Sequence, residues 1–542
     1  MSTNSVETGT KPALPANTGW RWILLALVTV GNYLAWYLLW RMVYLSGDDF
    51  RASLNGGAGQ YGRSTLGQIW AAGVDDYLHW NGRFADAIVK LQISLGYEAW
   101  QLISPLLLTL LAAVATALIY RIGRVAFPNF HLRTGVLVVV YLLVSLIPFA
   151  LIGTQPLLGS TMFFFNAAVV GYGLALLLLL VGLWLLFGRY PKNPSVPVLV
   201  LLVPLFFSLS LINESVGFAG LVLSMVALAL PATRVLARGF ALAAGASLVG
   251  FVVFFLAPGR ASRQGLVHGA EDSLLVRSAR GALMVLPSGR IYLVLVLIIT
   301  LVALAIIGSR LVADRGAAGR WPLIGAGIGV LGTLVLFAAS VAWTGNRDGD
   351  TFTAAVLRAL YQLGSFKLMV LGLGLLIAGW FLVVYRLPAK VRDPLVLLTV
   401  AAVVSAGPAV AMGLYPGRPY IFIVYLLSLI GVLVLTLGWS QARSRGLGLA
   451  AGVLVLATIA FAGMGYAESH RQLTDVYRLW HPVEQELVAV GSGAELPAEI
   501  ILPSADRYPD ELWSRLVSRS EGSEAALREW FGIPDSVKLE WR

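Results

Sequence analysis

Runs of roughly twenty apolar residues recur along most of this chain, separated by short polar stretches. A bilayer core about 30 Å thick is crossed by about 20 such residues in a helix, so each run predicts a membrane span. The pattern predicts about thirteen, at residues 22–45, 100–120, 134–151, 167–187, 196–212, 215–231, 239–257, 291–309, 321–344, 367–385, 394–414, 419–438 and 447–466. The stretch 196–231 is too long for one crossing and is interrupted by Asn213-Glu214-Ser215. A carboxylate in lipid is costly. Two short helices meeting at a membrane face, with Glu214 in the turn, are therefore expected rather than one long tilted helix with a protonated Glu214. The first run, Trp22–Leu45, is too long for a signal-peptide core and lacks a small-x-small cleavage site, so it reads as an uncleaved span.

Between the first two spans the pattern changes. Leu66, Trp70, Val74 and Tyr77, then Phe84, Ile88, Leu91 and Leu95, recur at helical spacing. They predict two amphipathic helices lying on the membrane surface, broken at Asn81-Gly82. Asp75 and Asp76 are expected to face solvent at the end of the first. Residues 1–20 are polar, small and expected to be disordered. From Glu468 the chain turns polar. Runs at Glu486–Val490, Glu499–Leu502 and Val537–Trp541 read as strands, and Asp510–Ser518 and Ser523–Phe531 as helices. The expected organisation is a disordered N-terminus (1–20), a transmembrane domain (21–467) and a small α/β C-terminal domain (468–542). The fold class is an all-α polytopic membrane protein with that appendage.

Composition agrees: 58% of the residues are hydrophobic and 12% charged, against about a quarter charged in soluble domains. The net charge of +11 divides unevenly. Residues 468–542 hold 14 acidic and 8 basic residues, leaving 31 basic and 14 acidic in residues 1–467. Most of the excess assigns to orientation. With the N-terminus inside, every inward loop is basic: Arg121, Arg124 and Arg133; Arg189 and Lys192; Arg234 and Arg238; Arg310, Arg315 and Arg320; Arg386, Lys390 and Arg392; Arg443 and Arg445. The C-terminus is then outside. No basic run has nucleic-acid character. There is no cysteine, which excludes disulfides, thiolate metal sites and Cys nucleophiles. The five histidines show no ligand spacing, and no P-loop is present.

The outward loops carry the candidate chemistry. Gly47-Asp48-Asp49-Phe50 follows the first span, where a lipid-borne substrate would present its head group. Such carboxylates serve as a general base, as hard-cation ligands or as an ordinary solvated loop end. Loop 258–290 is net +3, against the positive-inside trend. Arginine prefers phosphate because its fork donates two parallel bonds. Arg83, Arg260 and Arg418, each beside a glycine, are the phosphate candidates; the competing role is snorkelling to lipid head groups. Glu214 is a second acid, an arginine partner or a metal ligand. Trp80, like other tryptophans near span ends, reads as an interface anchor or a sugar-stacking surface.

Together, Gly47-Asp48-Asp49-Phe50, the paired surface helices, Trp80-Asn81-Gly82-Arg83-Phe84, Asn213-Glu214-Ser215 and Ala257-Pro258-Gly259-Arg260 resemble the GT-C class of membrane glycosyltransferases. Within it, the chain looks most like an uncharacterised bacterial group with the same acid pair and WNGRF loop. The resemblance implies transfer of a sugar from a polyprenyl-phosphate donor to an envelope glycan or lipid, outside the cytoplasm at the bacterial inner membrane. Asp48 would deprotonate the acceptor hydroxyl, with inversion. Asp49 would assist or, with Asp48, bind a divalent cation (Mg or Mn), which some members need and others do not. Arg83, Arg260 and Arg418 would hold the phosphate, with Asn213, Glu214, Trp80 and Asn81 in support. The sequon-reading motif of oligosaccharyltransferases is missing, which sets a peptide acceptor aside. A flippase or transporter of lipid-linked saccharides, or an envelope-glycan polymerase or ligase, is the alternative.

Overall fold

A computed structural model describes residues 18–45, 47–54, 57–96, 98–127, 129–154, 163–164, 166–188, 190–259, 290–311, 320–344, 352–408, 420–441, 445–495, 497–503 and 521–542. The expected disorder of residues 1–20 falls almost wholly outside these residues, as do Arg260, Arg418 and the expected helix Asp510–Ser518.

The chain is a multi-pass membrane protein. The helices in order are α1 (Thr18–Trp40), α2 (Gly47–Leu54), α3 (Leu66–Asp75), α4 (Ala85–Ser94), α5 (Ala99–Ala126), α6 (Thr134–Thr154), α7 (Asn166–Phe187), α8 (Val196–Ile212), α9 (Glu214–Ala229), α10 (Ala237–Phe255), α11 (Arg290–Leu311), α12 (Trp321–Thr344), α13 (Phe352–Tyr385), α14 (Ala389–Val404), α15 (Tyr420–Gln441) and α16 (Arg445–Gly491). Strand β1 (Glu499–Leu502), helix α17 (Glu521–Phe531) and strand β2 (Lys538–Trp541) complete the chain. Among the described residues ten helices are long and apolar enough to cross a bilayer, and α8 and α9 are shorter apolar helices. The expected span at 394–414 falls on α14, of 16 residues.

The interruption at Asn213 is real. Asn213 leaves helical geometry (φ −152°, ψ 115°), and its side chain caps α9 by accepting from the Ser215 and Val216 amides. The two helices expected between the first two spans form where the periodicity predicts them. α3 opens with a capping box between Thr65 and Gln68 and runs on through a wider turn at Asp76–Trp80. Residues 352–366, expected as loop, belong to α13, which is 34 residues long.

α16 differs most from expectation. Its 47 residues run unbroken through Glu468, a length of about 70 Å at 1.5 Å per residue. A bilayer core accounts for less than half of that. Glu486–Val490 is therefore helix, not strand. Trp480, Leu487 and Val490 are buried and continue a stripe from Leu473 and Val476 at helical spacing. The appendage itself is small and open: β1 and β2 pair in parallel, Glu499 opposite Lys538 through Leu502 opposite Trp541. Its buried Trp530, Phe531 and Leu539 join the same apolar core as Trp36 and Trp40.

The loops sort to two ends of the bundle. At one, α2, the start of α7, the Asn213 turn and the end of α10 meet. At the other, Arg121 donates to Gly188 O (2.7 Å) and Asp393 accepts from Ala232 N (2.7 Å). α5 joins the two ends, and its 28 residues span about 40 Å.

α6 and α16 pack backbone to backbone. A Cβ on Gly465 would collide with the Phe149 carbonyl, whereas one on Gly463 would meet open space. Gly465→Ala is expected to cost about 1–3 kcal/mol through overpacking and to lower the melting temperature of the detergent-solubilised protein. Gly463→Ala should leave it unchanged or slightly higher. Equal melting temperatures for the two variants would mean that this packing does not form.

Candidate functional site

The acid pair sits in the first turn of α2, where carboxylates are favoured by the helix dipole. Asp49 is buried, and its Oδ1 accepts from the Ala167 amide at 2.7 Å, at the start of α7. Asp48 is on the same turn; its side chain lies outside the described residues. At the other end of α2, Lys90 Nζ donates to Ser53 O and Gly57 O, each at 2.8 Å. Lys90 is 0% exposed. Burial lowers its pKa to about 8, against an upward pull from Glu529. A buried cation thus answers the C-terminal carbonyls of the helix that carries the acids.

A buried polar chain runs beside it. Gln92 Nε2 donates to Ser104 Oγ (3.0 Å), which donates to Asn166 Oδ1 (2.8 Å). The first turn of α7 therefore holds both Asp49 and Ser104. Asn166 Nδ2 is buried without a hydrogen-bond partner.

The WNGRF loop is built as a tight turn. The Asn81 and Gly82 amides donate to Asp76 O (3.0 Å each), and Asn81 Oδ1 accepts from Arg83 N (2.8 Å). Gly82 takes φ +75°, and a Cβ there would lie 2.8 Å from Ala257 Cβ. A Cβ on Gly259 would lie 2.6 Å from Trp80 N. The loop is thus pressed onto the end of α10, where Tyr77 also donates to Val253 O (2.8 Å). Phe84 N donates to Leu211 O (2.7 Å), fixing the loop to the end of α8. This seats Arg83 against Glu214, which opens α9, and the two form a buried ion pair. Burial alone would lower the Arg83 pKa, but Glu214, Tyr172 and Asp86 outweigh it and the net direction is upward. Arg83 Nε has no hydrogen-bond partner.

Four of the sequence motifs therefore share one end of the bundle: the acid pair, WNGRF, Asn213-Glu214-Ser215 and Ala257-Pro258-Gly259. α7 links them, with Ala167 on Asp49 and Tyr172 beside Arg83, about 8 Å apart along the helix. The Arg83 guanidinium is buried against Glu214, and among the described residues that ion pair is the role its environment gives it. Asn213 acts as the helix cap, Asn81 as the turn former, and Trp80 is partly exposed. Asp76 is corrected: it is 0% exposed, because the α3 turn tucks under WNGRF. Asp75 does lie at the surface, with His79 at 2.8 Å. Arg260 and Arg418 lie outside the described residues. Lys90, Gln92, Ser104 and Asn166 were not singled out by sequence. The available signal was a charged pair, Asp86 and Lys90, one helical turn apart on the face opposite Leu91 and Leu95.

The C-terminal module closes over this loop. Gln60 Nε2 donates to Gly491 O (2.7 Å) and Phe531 O (3.1 Å). Trp530 occupies the space a Cβ on Gly62 would need, and Gly62 has φ +68°. Tyr61 meets Phe531 edge-on, with ring centroids 6.1 Å apart.

No protein-family model, curated protein or solved structure matches this chain. Among the described residues no group of three or more His, Asp or Glu side chains is placed to hold a metal ion.

Arg83→Met would leave Glu214 buried and uncompensated. The expected cost is about 3–5 kcal/mol, with much of it recovered in the Arg83→Met/Glu214→Gln double variant. A double-variant cycle of thermal midpoints measures this, and purely additive losses would mean the pair is not coupled.

Lys90 generates a pH prediction. Its folded pKa of about 8 lies below the value near 10.4 of a free lysine. Between the two, the unfolded chain binds a proton that the folded chain does not. Stability should rise with pH across that window, the burial penalty being complete below it. Lys90→Met should flatten the rise; parallel curves for the variant and the parent would contradict the assignment.

Proposed function

We propose that this protein is a GT-C-like membrane glycosyltransferase. It moves a sugar from a polyprenyl-phosphate donor to a cell-envelope glycan or lipid acceptor, with inversion, on the non-cytoplasmic face of the bacterial inner membrane. The three shorter helices count as crossings, giving thirteen, with the N-terminus cytoplasmic and the C-terminus outside, as the basic loops require. The observation that carries the reading is the acid-bearing α2, fixed at both ends by polar bonds from the buried Asp49 and Lys90 at the mouth of the first span.

In this mechanism the acceptor O–H gives its proton to Asp48. Its oxygen forms the new bond at the anomeric carbon while the bond to the donor phosphate breaks. The phosphate leaves with the electron pair. Arg260 and Arg418 stabilise that charge, a contribution worth several kcal/mol when donors are prepositioned. Asp49 aligns α2 through Ala167, and the Arg83–Glu214 pair holds the loop beneath the donor. If a divalent cation is used, Asp48 and Asp49 are its ligands. The described buried charges favour an enzyme over a flippase, since Asp49, Asp76, Arg83, Asp86, Lys90, Glu214 and Asp393 all lie at or near helix ends or in the surface helices. A transporter would place them at mid-membrane depth.

The test is transfer from synthetic polyprenyl-phosphate sugars by purified, reconstituted protein. Asp48→Asn should lower kcat by about 10²–10⁴-fold with unchanged melting. Full activity in that variant would end the base assignment, and no transfer by the parent from any such donor would overturn the reading.

A further inference from the structure

The opposite end of the bundle contains a cavity of about 300 Å³, lined by His131, Leu132, Arg133, Val136, Trp439 and Ser440. It opens between the start of α6 and the end of α15. Its volume is at the lower end of the range for small-ligand sites. Among the described residues no carboxylate lines it.

Several of the described basic residues at this end are held by other groups of the protein. Arg121 is tied to Gly188 O and lies over the Trp184 ring. Arg392 is bonded to Asp393, and Arg386 lies over Trp321. These cations are committed within the protein. Arg133 and His131 are exposed, and among the described residues no acid pairs with either. Ser440 is also committed, donating to Leu437 O at 2.9 Å. The cavity thus offers a guanidinium and an imidazole beside apolar walls, Leu132 and Val136, and a Trp439 that is 51% exposed.

We propose that this crevice binds the phosphate of an anionic membrane lipid. A phosphate ester matches the unanswered Arg133 fork. The place decides for a lipid over a soluble anion. Thr134 opens α6 and Gln441 closes α15, so the cavity lies at head-group depth, with hydrocarbon-facing walls below. Basic pockets between helices at such ends are suited to anionic head groups. The crevice is about 40 Å, the length of α5, from the acid pair, so it is not the donor site and does not rest on the proposed reaction.

The experiment is native mass spectrometry of the full-length protein released from phosphatidylcholine nanodiscs doped with phosphatidylglycerol. The parent should retain phosphatidylglycerol preferentially. Arg133→Gln should reduce that retention roughly fivefold, the factor that corresponds to about 1 kcal/mol per cationic side chain. Arg124→Gln, an exposed arginine on α5 at the same end, is the control and should retain lipid as the parent does. Unchanged melting of Arg133→Gln would show that folding is not the cause. Equal loss in both variants would mean diffuse surface charge and overturn the proposal. Displacement of the lipid by millimolar inorganic phosphate would also overturn it, in favour of a soluble ligand.

Discussion

A guanidinium taken out of water at the end of a helical bundle needs a carboxylate within reach, and that demand organises the end of this protein that carries the acid pair. Arg83 meets Glu214 only because two backbone features coincide. The chain breaks at Asn213, so that Glu214 opens a new helix, where its charge is favoured by the helix dipole. The WNGRF loop turns through Gly82 against the end of α10 and reaches the end of α8, where Phe84 N donates to Leu211 O. Removing either the break or the turn would leave a buried charge without its partner, which is the costly outcome.

The acid helix depends on the same logic at a smaller scale. Eight residues are too few to hold a helix in isolation. α2 persists because its neighbours bind its polar ends: Asp49 on the α7 amide, and Lys90 on the last carbonyls. α17 then packs beside α2, with Trp530 against Gly62 and Gln60 reaching two carbonyls of the C-terminal segment. The C-terminal module is therefore part of the frame around the acids rather than a separate body. α16, rooted between α6 and α11, carries it there.

The two ends of the bundle use charge differently. At the acid end Arg83 and Lys90 are buried and bonded to protein groups. At the basic end several arginines are satisfied by carbonyls, rings or Asp393, while Arg133 faces a cavity. A satisfied charge holds structure, whereas an unanswered one at a membrane surface is available to a ligand.

Apolar periodicity made the spans, the two helices between the first two spans, the Asn213 break and the strand runs Glu499–Leu502 and Val537–Trp541 readable from the chain, because each is set by the local ratio of apolar to polar positions. The same signal misread Glu486–Val490, where a short run is ambiguous unless the helix before it is known to continue. It also placed Asp76 in solvent and left Lys90 unnoticed, since a stripe shows which face is apolar and not what covers the polar face. Which guanidinium meets which carboxylate was decided by tertiary structure alone. Arg83 and Glu214 are 131 positions apart, as Asp49 and Ala167 are 118. The sequence by itself determined a membrane protein whose acid pair, WNGRF and Asn213-Glu214-Ser215 motifs share one end; packing decided which of those groups are struts, because only burial separates a charge that is answered from one left open.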